Sequence, residues 1–598
     1  MAKFRKIKRH TSEIEPDEIF LDSQNIPDFN VQQFEGRLEK PISKRIIIFL
    51  GIFFVLTLFI LFGKAMALQI WEGDKYSSIS QNISLERGII FAERGIIYDR
   101  NNKPLGWNEA SDNDTPYSKR VYIKEPGFSH VLGYISYPIK DKQGFYWQKD
   151  FIGKDGIEKK FNSILSGKNG EKLREVNVRG EVQSENVIYK PEAGENIVLS
   201  INWRLQKEFY NSIKKLAENA SFRAGSGIIM DTENGEIIVM TNYPEYDPNS
   251  FLAGDDEKIT KFLSDENKPL LNRAIAGLYT PGSIVKPYIA IGALNESIID
   301  PSKKILSTGS ISIPNQYFPN LKSVFHDWKA HGWVDMREAL AVSSNVYFYE
   351  VGGGFEGQIG LGIEKILKYV KFFGLGNKTG IDLPGEIGGI VPSPDWKKKN
   401  FNGEPWRVGD TYNTTIGQYG FQVTPIQMVR AVAAMANNGK LLKPKIVMGK
   451  NESERLTVKG STIDSEFQHG VEIPTAMAMS ESTEQIDIDE SYYKVIHEGM
   501  RKAVISGTAT KLDAPFVKIA AKTGSAQLGV KKQFINSWIT GFFPYDKPKY
   551  AFVVLMERGP SQAGIFSAAN AMKDLIWWMS ENTPEYFEIN DQQLTTNN

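Results

Sequence analysis

There is no cysteine anywhere in the 598 residues. That excludes disulfide bonds, thiolate-ligated metal sites and a cysteine nucleophile. An excess of charge is also absent, because 71 lysines and arginines face 71 aspartates and glutamates. So balanced a chain has no electrostatic footprint for nucleic acid, and none is expected as a partner. No internal repeat of solenoid length is visible. Long apolar runs are missing too, with one exception. Residues 46–62 read IIIFLGIFFVLTLFILF, interrupted only by Gly51 and Thr57. Continued to about residue 70, the run can cross a hydrocarbon core of roughly 30 Å as a helix. Lys3, Arg5, Lys6, Lys8, Arg9, Lys40, Lys44 and Arg45 precede it, and Trp71 and Tyr76 follow. The positive-inside rule then keeps residues 1–45 in the cytoplasm and places everything after about residue 72 outside. A cleaved signal peptide would be shorter, would start nearer the N-terminus and would end in small residues, none of which applies here. The expectation is a single-pass anchor over residues 46–70.

With 41% hydrophobic and 24% charged residues, the remainder has material for two or three globular domains. Residues 1–40 are polar, mixed in charge and aperiodic, and are expected to be disordered. Residues 83–105 show short β-rich runs broken by Arg-Gly and closed by Asn101-Asn102. The doubled Arg-Gly-Ile-Ile at 87 and 94 reads as a strand pair, and residues 106–128 read as a polar loop. Strand-like and helical pieces alternate over 131–195, followed by a strand at 197–200 and a helix at 203–218. A second domain starts near Phe222 with a hairpin, Gly227–Asp231 against Glu236–Met240. Helices are predicted at 286–294, 336–349, 425–437 and 567–580, and strands at 517–522 and 549–556. The fold class expected is α+β, an antiparallel sheet with helices packed on it. It spans residues 222–582, after a β-rich membrane-proximal module (71–221) and before a tail (583–598).

The chemistry that stands out is a serine with a lysine three residues on, in Thr280-Pro-Gly-Ser283-Ile-Val-Lys286-Pro. On a helix, residues three apart share a face, which brings the Lys286 amine within reach of the Ser283 hydroxyl. An ordinary lysine, with a pKa near 10.4, is a poor base at neutral pH. Burial and a second cation can lower it enough to take the serine proton, and free N–H groups at a helix start can face an oxyanion. The pattern alone is weak. Ser212/Lys215 and Ser491/Lys494 repeat it and read as surface-helix positions. Lys-Thr-Gly occurs at Lys378-Thr379-Gly380 and at Lys522-Thr523-Gly524, and Ser-x-Asn at Ser343/Asn345, Ser80/Asn82 and Ser184/Asn186. Context selects among them. Ser343 and Asn345 interrupt an apolar helical stretch, where buried polar groups need partners. Lys522-Thr523-Gly524-Ser525 ends an apolar strand, whereas Lys378 follows a Gly-Leu-Gly-Asn turn and reads as a loop. The ordered set Ser283/Lys286, Ser343/Asn345, Lys522/Thr523/Gly524 is the arrangement of penicillin-binding proteins and serine β-lactamases.

From about residue 90 to 575 the chain resembles a class B penicillin-binding protein, and most the penicillin-binding protein 2 type of cell elongation. The resemblance is carried by ERGIIYDRNNKPL, SHVLGYI, GKDGIEKKFNSILSGKNG, LNRAIAGLYTPGSIVKP, FHDWKAHGWVDMREALAVSSNVYFYEVGG, GIDLPGE, GQYGFQVTPIQM and AAKTGSAQ. FHDWKAHG favours the elongation type over the division type. The resemblance implies a peptidoglycan D,D-transpeptidase of the bacterial cytoplasmic membrane that binds β-lactam antibiotics covalently and needs no cofactor. In it Ser283 attacks the donor peptide and Lys286 is the base. Ser343 relays a proton to the leaving D-alanine, and Asn345 holds Lys286 and the donor backbone. Lys522 supplies a positive field, Thr523, Gly524 and Ser525 line the carboxylate site, and the Ser283 and Ser525 N–H groups form the oxyanion hole. A polytopic membrane glycosyltransferase of the elongation complex is the implied partner. Two features depart from the family: only about twenty residues stand where relatives carry a head subdomain, and Asn536 precedes Ser537-Trp538 where many relatives have histidine.

Several groups have plainer readings. His326, Asp327 and His331 cluster in sequence as a metal site would, but relatives with zinc in this region use a cysteine that is lacking here, so hydrogen-bonding roles are expected. Trp577 and Trp578 are expected to pack. A D,D-carboxypeptidase or β-lactamase is the alternative enzyme, yet no group to activate a deacylating water can be identified. About 150 residues after the anchor leave no room for a polymerase domain. An inactive scaffold is disfavoured by the intact Ser283, Lys286 and Lys522.

Overall fold

The computed structural model describes residues 44–82, 85–111, 115–142, 144–176, 182–315, 318, 320–448, 484–529, 531–561 and 566–587. The expected disorder of residues 1–40 and most of the C-terminal tail lie outside them. The chain divides into two compact units, one made of the residues up to Arg87 together with Leu173–Asn186, the other of Gly88–Lys172 and Val187 onward. In the first, Lys44–Met66 is a continuous helix that runs on through a π-turn, Ala67–Trp71. Its 23 residues extend about 35 Å at 1.5 Å per residue. Its large side chains are exposed, Phe49 at 74% and Phe62 at 68%. Among the described residues it is the one helix long and apolar enough to cross a membrane, and it fits a single-pass anchor.

In the second unit the elements that matter run in this order: α1 (Trp203–Ala220), β1 (Ala224–Asp231), β2 (Ile237–Tyr243), α2 (Lys286–Asn295), α3 (Met336–Val342), α4 (Asn345–Gly353), α5 (Pro425–Ala436), α6 (Glu490–Ser506), β3 (Ala520–Leu528), β4 (Phe534–Phe543), β5 (Tyr550–Pro560) and α7 (Ala568–Asn582). The five strands form one antiparallel sheet in the order β2-β1-β5-β4-β3. Successive side chains of a strand point to opposite faces, and here both faces are covered. Ile228, Met230, Trp538, Val553 and Leu555 pack with α2 and α5, through Ile289, Ile426 and Val429. Ile229, Ile539, Phe552, Val554 and Met556 pack on the other side with Phe209 and Ile213 of α1 and Met572 and Ile576 of α7. Burial on both faces explains why the strands read as unbroken apolar runs without alternation. The α+β class expected from the sequence is the architecture found.

Four details of the sequence reading are corrected. Residues 106–128 are not a loop throughout: Pro104–Glu109 pairs antiparallel with Lys119–Tyr122, Gly106 opposite Tyr122. Tyr122 is buried, and tertiary burial makes a strand of a segment whose composition suggested none. The Arg-Gly-Ile-Ile repeats do not pair with each other, since Leu85–Ile90 and Ile97–Tyr98 belong to different sheets. The helix expected over 336–349 is two helices, broken at Ser343. Strand β4, the central partner of both β3 and β5, has no counterpart among the strands expected.

Around Glu158, ahead of the five-stranded sheet in sequence, lies a buried ionic cluster. Its carboxylate accepts from Arg94 Nε (2.6 Å), Arg120 Nε (2.8 Å) and Tyr122 Oη (3.1 Å). Burial pushes the Glu158 pKa up, but Arg120 and Arg94 outweigh it and hold the group below its ordinary value. Arg94 therefore belongs to a structural ion cluster.

Candidate active site

Ser283 stands in a single 3-10 turn, Gly282–Val285, and Lys286 begins α2. The expectation of one helix bearing both is corrected here. Pro287 has no N–H to give the Ser283 carbonyl, so Lys286 N–H takes that acceptor in a tighter bond. Proline costs nothing further at the start of α2, where the N–H would have no helical partner.

The turn is clamped from three sides. Tyr279 exchanges both backbone hydrogen bonds with Val423 (3.0 and 2.9 Å), and Gly282 N–H donates to Gly417 O (3.0 Å). Trp538 Nε1 of β4 donates to Thr280 O (3.0 Å). Strand β3 passes so near that a Cβ on Gly524 would lie 2.9 Å from Pro281 O and from Ile284 Cγ2. A Cβ on Gly417, whose φ is +73°, would lie 2.2 Å from Gly282 O. Only glycine permits both approaches.

Ser343, Ser344 and Asn345 break the α3–α4 stretch because short polar side chains satisfy backbone groups that a continuous helix would use. Ser343 adopts the left-handed conformation (φ 58°) and ends α3. Ser344 caps α4, its Oγ accepting from Tyr347 N–H (3.3 Å). The break aims four oxygens at Lys286. Its Nζ donates to Ser343 O (2.8 Å) and Asn345 Oδ1 (2.8 Å), with Ser344 O at 3.3 Å and Ser343 Oγ at 3.4 Å. Lys522 Nζ of β3 donates to the same Ser343 Oγ (2.7 Å) and to Thr523 O (2.8 Å). One hydroxyl thus sits between two fully buried amines.

Burial lowers the Lys286 pKa to about 7, against the opposing pull of Asp327. Lys522 is pushed well below its ordinary value by burial and by the Lys286 charge. A neutral Lys286 has two protons, which the two 2.8 Å acceptors employ, and a lone pair left to accept a third. The set can take up a proton near neutral pH and pass it through the Ser343 hydroxyl.

Ser283 is half-buried, Ser343 and Gly524 are buried, Thr523 is half-exposed and Ser525 is exposed. Among the described residues no hydrogen bond joins Ser283 Oγ to Lys286 Nζ, so the reach expected from helical spacing is not a contact here. Thr523 Oγ1 meets Thr508 Oγ1 (2.6 Å), and nothing in the sequence marks Thr508, which precedes β3 by a whole loop. Asn536 is buried and its Oδ1 accepts from Arg558 N–H (2.9 Å). His326 offers its carbonyl to Asn345 Nδ2 (3.4 Å) and Tyr349 Oη (3.2 Å). Among the described residues no group of three His, Cys, Asp or Glu side chains could hold a metal ion.

The decoys fall elsewhere. Ser212, expected on a surface, is buried on α1, while Lys215 is exposed and bonds Asp574 (3.0 Å). Ser184 and Asn186 lie on an exposed strand, and Ser80 and Asn82 on the helix Gly73–Asn82. Lys378-Thr379-Gly380 is a loop whose Thr379 N–H and Oγ1 both donate to Glu386 Oε1 (2.6 Å each). Trp578 packs against the α1/α7 core, and Trp577 is 43% exposed with an edge contact to Phe516.

Against known proteins, the model of the penicillin-binding protein transpeptidase domain matches residues 225–576, more than half of the chain. The chain belongs to the penicillin-binding proteins. The penicillin-binding protein dimerisation domain matches residues 113–199. Peptidoglycan D,D-transpeptidase MrdA of Escherichia coli K12 is 30% identical over 497 residues, 78% of this chain and 72% of that one. Among solved structures, penicillin-binding protein 2 of Pseudomonas aeruginosa superposes with a TM-score of 0.65 at 27% identity, covering 84% of this chain and 98% of that one. Penicillin-binding protein 2 of Helicobacter pylori, solved in complex with MreC, gives 0.63 at 28% identity, covering 83% and 99%. The penicillin-binding protein 2 resemblance read from the sequence is borne out by these relatives.

Proposed function

We propose that this penicillin-binding protein is a peptidoglycan D,D-transpeptidase that cross-links stem peptides through a serine acyl-enzyme during cell elongation. The observation that carries the reading is the buried Lys286 amine, near neutrality, sharing the Ser343 hydroxyl with Lys522 beside the clamped Ser283 turn. Ser283 Oγ attacks the carbonyl carbon of the penultimate D-alanine and its proton passes to Lys286. The tetrahedral oxyanion is met by the N–H groups of Ser283 and Ser525. The C–N bond breaks, and Ser343 relays the proton to the departing D-alanine amine. An amine from a neighbouring stem peptide then attacks the ester, loses a proton to the same relay and releases Ser283. Asn345 orients Lys286 and the donor, and Thr523, Gly524 and Ser525 receive the terminal carboxylate beside Lys522. A β-lactam enters the same path, but its amine stays tethered and blocks the acceptor.

The domains follow in this reading as a cytoplasmic tail (1–45), an anchor (46–70), a pedestal (71–221), the transpeptidase domain (222–582) and a tail (583–598). The anchor lies in the bacterial cytoplasmic membrane with the catalytic domain outside, where peptidoglycan is. The MrdA relatives support the elongation role. The partners are a polytopic glycosyltransferase meeting anchor and pedestal and, by analogy with the Helicobacter pylori complex, an MreC-like protein.

The test is covalent labelling of the full chain in detergent with a fluorescent penicillin, followed by a cross-linking assay with stem-peptide donor and amine acceptor. Long-lived label on Ser283, absent in Ser283→Ala, and a cross-linked product are expected. Rapid drug turnover would move the assignment to a hydrolase, and an unlabelled wild-type protein would overturn the acyl-enzyme.

A further inference from the structure

Asp327 belongs to none of the three motifs, yet its side chain is fully buried beside them. Its Oδ2 accepts from Ser344 Oγ (2.8 Å), Val346 N–H (3.0 Å) and Ser307 Oγ (3.3 Å), and its Oδ1 from Trp328 N–H (2.8 Å). Its own N–H is tied to Gly309 O (2.8 Å), and the neighbouring His331 N–H to Ser307 O (3.0 Å). One carboxylate therefore joins the strand Ile305–Ser307, the arm after Lys322–His326 and the first turn of α4. What it fastens is the turn whose Ser343 carbonyl and Asn345 amide hold Lys286. Burial alone would push the Asp327 pKa up, but the α4 amides, Ser344 and the Lys286 charge together hold it below the ordinary carboxylate value. It is thus an anion at neutral pH, and its field favours the charged form of Lys286.

We propose that Asp327 is a positioning residue of the transpeptidase site, fixing the Ser343–Asn345 turn through its hydrogen bonds and holding a negative charge against the Lys286 amine. The inference rests on the acyl-enzyme reading above. Lys522 on β3 meets the same Ser343 hydroxyl that Lys286 contacts, so the turn that Asp327 fastens is shared by both amines. The other titratable groups around Asp327 are His331, Lys329, Tyr349 and Lys286. Burial lowers His331, which is therefore neutral at pH 7, and burial raises Tyr349. Asp327 is left as the negative charge that acts on Lys286.

The test measures the rate of acylation by a fluorescent penicillin between pH 5 and 9 in wild type, Asp327→Asn, Asp327→Glu and Ser344→Ala, with thermal unfolding of each. Asp327→Asn keeps the shape and removes the charge. Its plateau rate is expected to fall about tenfold or more as the turn loosens. Its acid limb is expected about one pH unit lower, because an opposite charge no longer favours protonated Lys286. Asp327→Glu keeps the charge, so its limb stays near that of wild type although the rate falls. Ser344→Ala slows acylation without moving the limb. A cap with no electrostatic role would lower rate and stability in all three and leave the limb in place, which overturns the proposal. So does an equal shift in Asp327→Asn and Asp327→Glu, or an Asp327→Asn protein that acylates like wild type. If the wild type is not labelled, the acyl-enzyme reading fails and the Asp327 role with it. If the wild type labels and the limb is fixed, only the Asp327 role fails.

Discussion

Replacing Lys286 by methionine separates the chemical role of this lysine from its energetic cost. Its pKa falls from 10.5 to about 7 through burial, which corresponds to about 5 kcal/mol of preference for the neutral form. At pH 7.5 an ordinary lysine is neutral roughly once in a thousand molecules, whereas one titrating near 7 is neutral in most. The fold therefore supplies a several-hundred-fold increase in available base, and acylation by a penicillin should rise with pH along a limb centred near 7. The same displacement has a stability consequence whose sign is fixed. Between about pH 7 and 10.5 the unfolded chain holds a proton that the folded chain lacks, so unfolding free energy increases with pH at about 1.4 kcal/mol per pH unit. Below pH 7 both states are protonated and the contribution is flat, with its full penalty present. From pH 7 to 9 Lys286 should thus add between 2 and 3 kcal/mol, on the order of two units of that slope. Lys286→Met removes the proton, so the wild-type-minus-variant difference in urea-unfolding free energy should widen by that amount between pH 7 and 9. The lost hydrogen bonds to Ser343 O and Asn345 Oδ1 shift both ends equally. A difference that is constant with pH, or a labelling limb centred at pH 9 or above, would refute the assignment of a depressed Lys286.

Gly524→Ala places a methyl group 2.9 Å from Pro281 O and Ile284 Cγ2. Acylation should fall by about a hundredfold from displacement of the Ser283 turn, while circular dichroism shows the fold retained, and a rate within twofold of wild type would contradict the clamp. Glu158→Ala leaves Arg94 and Arg120 buried without their anion, and should cost about 3–5 kcal/mol in denaturant unfolding. A loss below about 1 kcal/mol would mean that the two arginines find other partners.

The anchor-like helix was legible because a lone helix that crosses a bilayer must be long and uncharged, a constraint that acts on consecutive residues. The sheet was legible in part. Strands β1 and β5 and helices α1, α5 and α7 announce themselves by local apolar patterning. Strand β4 did not, because Asn536-Ser537 and Gly541 dilute its run and its identity depends on neighbours on both sides. The pairing of 104–109 with 119–122 was hidden for the same reason, since residues that bury against a partner need not look like a strand alone.

At the site, sequence order and context singled out Ser283, Lys286, Ser343, Asn345 and Lys522, and the fold brings Lys286, Ser343, Asn345 and Lys522 into one hydrogen-bonded group. Each motif carries a local physical demand that a sequence can display: a proline after Lys286, polar residues within an apolar helical stretch at Ser343–Asn345, and a lysine at the end of an apolar strand at Lys522. What only the tertiary structure decided is how those residues act on one another. Lys286 is drawn down to about 7 because burial desolvates it, and burial is a property of everything packed around it. Ser343 lies between two amines because a helix breaks at a left-handed residue and a strand from 179 residues later meets the break. Asp327, for which the sequence pointed to a hydrogen-bonding role without naming its partners, faces Ser344 and Val346 only once the chain is folded. The sequence by itself determined which residues are present and in what order along the membrane-anchored chain. Their charges and distances were decided by the fold, because desolvation and Coulomb energies depend on three-dimensional neighbours that no local pattern records.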